Sequence, residues 1–448
     1  MKRRDFFTHS ALLGAALPLG IAPLFTSCDK SGEKDKTHFS AEQLGMFSFV
    51  EKAPDGKPLK AALIGCGNRG TGAAFNFLNA GNDLSIVTLA DVLSDRLEQC
   101  REQLAKERNN HIDDDKCFIG FDAYKDVLKL DIDVVLICSP THFHPEHFKA
   151  AVAANKHVFM EKPAAVDPVG IRTVMVSARQ AEAAGLTVVT GNQRRHQLDY
   201  WDAYLQVKNG AIGDIISSTV HWNQGAWWNR EKRPEWSEME YNIRNWFNIK
   251  WLSGDHLLDQ GIHNIDVATW FTGMIPSQAV GYGGRARRLT GDIFDFFSID
   301  YKYANNKRML ATARQIDGCD NDVSESVTGT KGVLYTGEDM RIENFDGDII
   351  WKYDYDAKPV PNAYDQEHVH FVESVRLNKR INQAEDVANS TLIAIMGREA
   401  AYTGKAISWD QIMESDLRYG PEKYAMGPVP EYTEGDAPVP GREPGEPI

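Results

Sequence analysis

The chain has 448 residues, of which 42% are hydrophobic, enough to bury the cores of two ordinary domains. Its formal net charge is −14 at neutral pH. This acidic balance argues against nucleic acid or an anionic membrane surface as a partner, because both would repel it.

The first 28 residues have the composition of an export signal. Arg3 and Arg4 form a twin-arginine pair, and residues 11–25 carry no charge. This uncharged run is shorter than the roughly 20 residues that a membrane-spanning helix needs. Small residues before Cys28 resemble a lipoprotein cleavage site and predict a lipid anchor there, with simple cleavage to a soluble periplasmic protein as the alternative. Residues 29–58 then form a polar linker or arm, so we expect an exported protein whose only membrane contact is that anchor.

A glycine-rich loop follows the first predicted strand. The apolar run 59–64 leads into Gly65, Gly67 and Gly70, spaced G-x-G-x-x-G, and a helical pattern begins there. Gly65 allows a tight turn, Gly67 lets backbone amides approach a pyrophosphate, and Gly70 lets the helix pack closely on the strand. This context predicts a dinucleotide site. The loop residues expected to contact the cofactor are Gly65, Gly67, Asn68, Arg69 and Gly70.

A carboxylate at the end of the second predicted strand bears on the choice of cofactor. Asp91 lies about 20 residues beyond Gly70, a spacing that suits hydrogen bonds to the adenosine ribose hydroxyls. Its charge would repel a 2′-phosphate, so NAD is the predicted cofactor. Arg69 and Arg96 are close enough in sequence to compensate, which keeps NADP as an alternative. An exported enzyme cannot draw on the cytoplasmic pool, so we expect the cofactor to be tightly bound.

The predicted elements divide the chain into two α/β domains. Strands and helices alternate over residues 59–191, which predicts a Rossmann domain with a parallel sheet covered by helices. Strand-like runs dominate residues 192–419 and predict an α+β domain with an open, largely antiparallel sheet for substrate binding and oligomerisation. Residues 420–448 are rich in Pro and Gly and predict an extended arm.

Two further segments carry reactive side chains. Glu161-Lys162-Pro163 follows a predicted strand, and ligands of open α/β sheets bind at the carboxyl ends of strands. The proline stops the strand and can fix the direction of the lysine, with a cis bond as one way to do so. Asp259 and His263 lie four residues apart in a predicted helix from Gly254 to Trp270, so they share a face.

These segments, in this order, resemble the exported members of the glucose–fructose oxidoreductase, inositol dehydrogenase and rhizopine catabolism family (Gfo/Idh/MocA). The resemblance covers roughly residues 57–410 and rests on residues 62–70, 138–144, 161–163, 191–195 and 258–263. It implies a Rossmann domain and an open-sheet domain that assembles into a homodimer or homotetramer. It implies the catalytic residues Lys162, Asp259 and His263. It adds Ser139, Pro140, His144, Glu161 and Lys162 to the cofactor site.

These residue types suit hydride chemistry. Oxidation of a secondary alcohol releases a proton, and His263 is the best acceptor near neutral pH. Asp259 is expected to fix the tautomer of His263, and Lys162 to hydrogen-bond the substrate oxygen. Whether Lys162 or His263 carries the proton stays open.

Other polar residues form a second rank of candidates. Tryptophan faces with amide and guanidinium donors are typical walls of a sugar site, although the same tryptophans suit a core or a subunit contact. The candidate substrate-binding residues are Arg194, Arg195, His196, Asn223, Trp227, Arg244 and Trp246. His142, His144 and His147 have metal-like spacing, but no supported set of three or four ligands is evident, so no metal is expected.

Three functions fit this sequence. The first is an NAD(P)-dependent dehydrogenase that moves a hydride between a retained cofactor and a hydroxyl or keto group of a sugar, sugar derivative or cyclitol. The second is an NAD-dependent glycosidase that oxidises its sugar transiently and eliminates the aglycone. The presence of Lys162 favours the dehydrogenase. The third is a non-catalytic NAD-binding sensor, which would require a broken catalytic set.

Overall fold

The computed structural model describes residues 38–441. The predicted export signal, Cys28 and the last seven residues of the predicted arm lie outside this range. No helix within residues 38–441 is both long and apolar enough to cross a bilayer.

The first domain is built on a fully parallel sheet. Its strands are β1 (Leu59–Ile64), β2 (Leu84–Asp91), β3 (Cys117–Ile119), β4 (Val134–Ile137), β5 (His157–Met160) and β6 (Val188–Thr190). They lie in the order β3-β2-β1-β4-β5-β6, which is the doubly wound Rossmann arrangement. The connecting helices are α1 (Asn68–Asn79), α2 (Ser94–Arg108), α3 (Ala123–Val127), α4 (His144–Ala153) and α5 (Pro168–Ala183). The predicted parallel sheet is confirmed.

The second domain contains a nine-stranded sheet within the described residues. Its strands are β7 (Ile215–Gln224), β8 (Gln278–Gly284), β9 (Phe296–Lys302), β10 (Arg308–Gln315), β11 (Asp322–Gly329), β12 (Gly332–Tyr335), β13 (Arg341–Asn344), β14 (Ile349–Lys352) and β15 (Ile407–Ser408). Strands β7 and β10 pair in parallel, and the other neighbours pair antiparallel. The predicted open and largely antiparallel sheet is therefore confirmed.

The helices of the second half cover both sheets. They are α6 (Leu198–Lys208), α7 (Glu238–Arg244), α8 (Lys250–Ser253), α9 (His256–Asp259), α10 (Ile262–Thr272), α11 (Ala363–Leu377), α12 (Ala384–Thr403) and α13 (Trp409–Glu414). Helix α12 packs on β8, β9 and α5, while α11 returns to α1 and β6 of the first domain. Because α11 brings Phe371 and Val372 into the Rossmann core, the two halves of the chain share a hydrophobic interior.

The predicted helix from Gly254 to Trp270 is wrong as a single element. The chain forms α9, turns at Gln260 and Gly261, and resumes as α10. A Cβ at Gly261 would lie 2.6 Å from the carbonyl oxygen of Leu257, so only glycine allows this close turn. Asp259 and His263 consequently belong to two short helices.

The C-terminal tail is packed against the protein as far as it is described. Val429 and Tyr432 are 3% and 8% exposed, and they join a cluster that includes Met239 and Tyr241. The Pro- and Gly-rich composition predicts an absence of periodic structure correctly here, since residues 415–441 contain no helix or strand. It does not reveal that side chains of this segment, Val429 and Tyr432 among them, are buried.

Candidate active site

The glycine loop has the shape that a dinucleotide requires. Gly65 has a φ of +97°, and a Cβ there would lie 2.5 Å from the carbonyl carbon of Cys138. A Cβ at Gly70 would lie 1.8 Å from the carbonyl oxygen of Gly65. At Gly67, by contrast, a Cβ would have no protein atom within 4 Å, and no side chain caps the N-terminus of α1. The helix N-terminus therefore faces a free concavity that fits a pyrophosphate.

A groove runs beside this loop. Its lining includes Asp91, Phe121, Ser139, Pro140, Phe143 and His147. The carboxylate of Asp91 accepts hydrogen bonds from the backbone N–H groups of Cys66 at 2.6 Å and Leu93 at 2.8 Å. Burial raises the pKa of Asp91, while these N–H donors oppose the rise. The groove fits the adenosine half of the cofactor.

His144 connects two loops of the sheet edge and is not open to a nicotinamide. The side chain is 1% exposed. Its Nδ1 lies 2.8 Å from the carbonyl oxygen of Pro163, and its Nε2 lies 2.7 Å from that of Ser139. The Lys162–Pro163 peptide bond is cis. We therefore assign His144 to holding the Ser139 and Pro163 loops together, which corrects its predicted direct contact with the cofactor.

Arg69 and Glu161 bind each other beneath the loop. Arg69 donates to Glu161 and also to Glu367 at 3.1 Å, and its guanidinium lies 4.9 Å from the ring centre of Tyr364. Both acidic partners are buried. This network corrects two predictions. Arg69 is not free to offset the charge of Asp91, and Glu161 anchors the loop instead of facing the cofactor.

Lys162 and Asp259 meet at the carboxyl edge of the sheet. The Nζ atom of Lys162 donates to the carbonyl oxygen of Asp259 at 2.5 Å and lies 3.8 Å from its Oδ1. The other carboxylate oxygen, Oδ2, accepts from Nε2 of Gln260 at 2.6 Å. Two segments 97 residues apart thus place an ammonium group beside a carboxylate, and the two side chains are 13% and 4% exposed.

His263 is held in its neutral form. Burial, together with the positive charges of Lys162 and Arg194, keeps its pKa well below the ordinary value of 6.5. Its Nδ1 is buried without a hydrogen-bond partner, and its ring stacks on Trp222 with the ring centres 5.4 Å apart. The expectation that Asp259 fixes the tautomer of this imidazole is therefore wrong, because Asp259 does not reach Nδ1 and acts on Lys162 instead.

Arg194 lies on the same side of the cleft. It donates to the buried carboxylate of Glu325, whose other oxygen accepts from Tyr200 at 3.1 Å. Its guanidinium lies 5.7 Å from the ring centre of Trp222, the residue that stacks on His263. Arg194 therefore contributes positive charge to the site through a position that Glu325 fixes.

Arg195 and His196 belong to buried packing networks. Arg195 binds both carboxylate oxygens of Asp266, at 2.8 and 2.9 Å. His196 is fully buried, with Nδ1 2.8 Å from Nδ1 of His370, and it stacks under Phe47 at 5.0 Å. Neither side chain has an atom free for a substrate, which corrects both predictions.

The remaining substrate candidates separate into two groups. Asn223 donates to Thr312 at 3.1 Å on the opposite face of β7 from Trp222, and Arg244 binds Asp95 at the start of α2. Both predictions are therefore wrong. Trp246 packs edge-on against Trp228 at 6.2 Å and is partly buried. Trp227 is 43% exposed, and its indole nitrogen lies within hydrogen-bond distance of the Gln224 side chain, as does that of Trp222.

Several residues of the site were not predicted. The position of Trp222 could have been predicted from the alternation of side chains along β7. Trp222 faces His263, whereas its neighbour Asn223 points to the other face of the sheet. Asn192 lies two residues after the end of β6 and has a buried side-chain amide with no partner on either atom. Its position after a strand end was a usable signal. Glu325 and Glu367 had none, because only the folded chain brings them to Arg194 and Arg69.

No group of His, Cys, Asp and Glu side chains among residues 38–441 is arranged to hold a metal ion. His142 faces Tyr424, and His147 faces Ser139, so the three spaced histidines serve separate contacts. The five cysteines in this range are free thiols.

Two family models match this chain, one for each domain. Residues 59–189 match the model described as "Oxidoreductase family, NAD-binding Rossmann fold", and residues 205–408 match its partner, "Oxidoreductase family, C-terminal alpha/beta domain". The protein is thus an NAD-binding Rossmann protein with an attached α/β domain. The chain belongs to the Gfo/Idh/MocA family of oxidoreductases.

Two curated relatives and one solved structure show the range of this similarity. The D-glucoside 3-dehydrogenase of Escherichia coli (strain K12) is 30% identical over 224 residues, which cover 50% of this chain and 57% of that protein. The myo-inositol 2-dehydrogenase of Thermotoga maritima is 29% identical over 48% of this chain and 55% of its own length. The matches thus span little more than half of each relative.

The solved structure is the scyllo-inositol dehydrogenase of Lactobacillus casei with bound NAD(H) and scyllo-inositol. It superposes with a TM-score of 0.59 and 24% identity, covering 79% of this chain and 99% of that one. At this identity the match shows a common fold.

Proposed function

We propose that this chain is an NAD-dependent dehydrogenase that oxidises a hydroxyl group of a sugar, sugar derivative or cyclitol. The observation that carries the proposal is the meeting of Lys162, Asp259 and neutral His263 at the carboxyl edge of the NAD-binding sheet. The names of the relatives support the substrate class, since glucosides and inositols both present hydroxyl groups on a six-membered ring.

In this proposal each polar group has one task. NAD, when bound, supplies a nicotinamide ring that accepts the hydride from the carbon being oxidised. Lys162 donates a hydrogen bond to the substrate oxygen and stabilises negative charge as the O–H bond breaks. His263 accepts the hydroxyl proton on a ring nitrogen, which its lowered pKa leaves unprotonated. Asp259 positions the ammonium group of Lys162.

NAD rather than NADP is the cofactor in this proposal. Asp91 lines the groove with a carboxylate that would repel a 2′-phosphate, and Arg69 is held by Glu161 and Glu367. The test is Asp91→Ser, which should narrow the ratio of NADP to NAD dissociation constants. An unchanged ratio would show that the carboxylate of Asp91 does not contact the ribose.

The substrate ring is proposed to lie near Trp222 and Trp227. Aromatic faces beside polar donors are typical of carbohydrate sites, and the two indoles share Gln224 as a neighbour. Trp227→Ala should therefore raise KM by about three- to tenfold with little change in kcat, in line with lost uniform binding. A changed kcat with an unchanged KM would contradict this placement.

Export and assembly complete the proposal. The chain is exported by the twin-arginine route, anchored through Cys28, and retains its cofactor outside the cytoplasm. Fractionation of cells that express the native chain or the Cys28→Ala variant tests the anchor.

The open sheet face of the second domain is proposed to pair with a second copy of the chain. This face carries Val280, Tyr282 and Leu310, which are 49%, 67% and 41% exposed. A monomer by light scattering at micromolar concentration would overturn the assembly.

The decisive experiment is a single turnover. The cofactor of purified protein is identified after denaturation, and the native protein is then mixed with a panel of monosaccharides, glycosides and cyclitols while nicotinamide absorbance is followed. Stoichiometric reduction of bound NAD supports the dehydrogenase. Release of nitrophenol from nitrophenyl glycosides without net reduction would favour the glycosidase, and silence in both assays with NAD bound would favour the sensor.

A further inference from the structure

The C-terminal tail packs against the wall of the adenosine groove. The ring of Tyr424 lies 5.5 Å from that of Phe143 and 6.0 Å from that of Phe121, measured between ring centres. Its hydroxyl group lies 2.7 Å from Nε2 of His142. Phe121 and Phe143 both line the groove that contains Asp91. The tail therefore packs behind two side chains that line this groove.

The tail approaches this wall closely over more than one residue. A Cβ at Gly420 would lie 2.6 Å from Cε1 of His142, and the φ of Gly420 is +102°, so glycine is required there. Farther along, Val429 and Tyr432 are buried in a cluster with Leu93, which lies two residues after Asp91. We call residues 417–432 the tail brace.

A second element holds the same edge of the groove. Arg244, at the end of α7, donates to both carboxylate oxygens of Asp95, at 2.9 and 3.0 Å. Asp95 lies in the first turn of α2, directly after the strand that ends in Asp91. Arg244 also donates to Glu240 at 2.8 Å, which fixes the guanidinium. A bidentate pair of this kind sets both position and orientation.

We propose that the tail brace and Arg244 hold the outer wall of the adenosine groove in place and thereby slow the release of NAD. The inference rests on the proposed NAD-dependent function and adds residues for cofactor retention that lie outside the glycine loop. Outward movement of Phe121 or Phe143 must displace Tyr424, and movement of the start of α2 must break the Arg244–Asp95 pair. Dissociation of the cofactor is consequently coupled to opening of the C-terminal tail.

The test measures the release of NADH, not turnover. Full-length protein loaded with NADH is mixed with excess NAD, and the loss of bound NADH fluorescence gives the dissociation rate. Tyr424→Ala and Arg244→Ala should each speed release by about tenfold or more, because changes in affinity appear mainly in the dissociation rate. Tyr424→Phe should have an intermediate effect, since it keeps the ring contacts and loses only the hydroxyl contact with His142.

Two matched controls separate bracing from general damage. Phe345→Ala removes an exposed aromatic ring from the turn between β13 and β14, and Lys358→Ala removes a surface ion pair with Asp202. Both should release NADH at the native rate. Thermal unfolding of each apo variant checks the fold.

Three outcomes decide the inference. Faster release from both brace variants, with native apo melting temperatures, supports it. Native release rates from well-folded Tyr424→Ala and Arg244→Ala overturn it and leave the proposed function intact. Failure of native protein to bind NAD or NADH overturns the proposed function itself. If Tyr424→Ala does not fold, Tyr424→Phe and Arg244→Ala still decide.

Discussion

The two domains position their functional side chains in different ways. In the Rossmann domain these residues lie at or just beyond strand ends: Gly65 after β1, Asp91 at the end of β2, Ser139 after β4 and Glu161 after β5. In the second domain, Arg194 depends on Glu325, which lies 131 residues later in the chain, and His263 depends on Trp222 of another element. A parallel sheet gathers strand ends at one edge, so local order suffices there. In the mixed sheet the strands run in both directions, so their carboxyl ends do not meet at one edge.

The largest expected effect tests whether each domain supplies one catalytic group. Lys162→Met and His263→Ala should each lower the single-turnover rate of NAD reduction by about two orders of magnitude or more, because each removes a positioned polar group. NAD binding should stay nearly native in both, since neither residue lines the adenosine groove. Stopped-flow absorbance and calorimetry give the two quantities.

Wild-type rates in both variants would contradict the assignment and move the search to Asn192 and Arg194. Asp259→Asn should have a smaller effect than Lys162→Met, because its backbone carbonyl still accepts the bond from the lysine. An equal loss in Asp259→Asn would mean that the carboxylate does more than position Lys162.

The second prediction sharpens the contrast within the second domain. Arg195→Met should lower the free energy of unfolding by about 3–5 kcal/mol, because it leaves the buried carboxylate of Asp266 without its partner. Arg308→Met, which breaks an exposed pair with Asp300, should cost less than about 1 kcal/mol. Urea unfolding at constant m-value measures both. If the folded Arg195→Met variant instead loses substrate affinity without losing stability, Arg195 contacts the substrate and the packing assignment is wrong.

Much of the fold and part of the site could be predicted from the sequence. The glycine loop, Asp91 and the three central residues lie in short motifs whose meaning is local. The continuous helix through Asp259 failed because the turn depends on a contact between Gly261 and Leu257 that periodicity does not encode. The predictions for Arg195 and His196 failed because a polar residue near a cleft has the same sequence signature as one that neutralises a buried acid or pairs with another histidine. The prediction for Arg244 failed because its partner Asp95 lies 149 residues away in the chain, so nothing local in the sequence indicates the pair.

The third prediction compares two glycines within the Rossmann loop. Gly67→Ala should leave the apo protein within about 0.5 kcal/mol of native stability, since its Cβ meets no protein atom and its φ of −70° is ordinary. NAD binding should still weaken by at least about tenfold, because the methyl group occupies the space for the pyrophosphate.

Gly70→Ala should show the opposite pattern. Its Cβ would overlap the carbonyl oxygen of Gly65, so the apo protein should lose about 1–3 kcal/mol of stability or more. Apo melting curves and NAD titrations of the two variants distinguish them. Native NAD affinity in Gly67→Ala would show that the cofactor does not approach this part of the loop.

The smallest expected effect is a displaced pH profile, and it tests how the two domains act on one imidazole. Burial and the charges of Lys162 and Arg194 lower the pKa of His263, so the neutral form needed for proton acceptance persists as the pH falls to 6.5 and below. The single-turnover rate should therefore stay level down to pH 6.5 and decline only as the pH passes through the lowered pKa. With a histidine of ordinary pKa, the single-turnover rate would instead fall to half at that pKa.

The profile is measured from pH 5 to 8. His263→Ala is the control, and its residual rate should lack the decline because the variant has no imidazole at this position to titrate. A native midpoint at or above 6.5 that disappears in His263→Ala would keep His263 as the proton acceptor. It would also show that Lys162 from the Rossmann domain and Arg194 from the second domain do not act on it together.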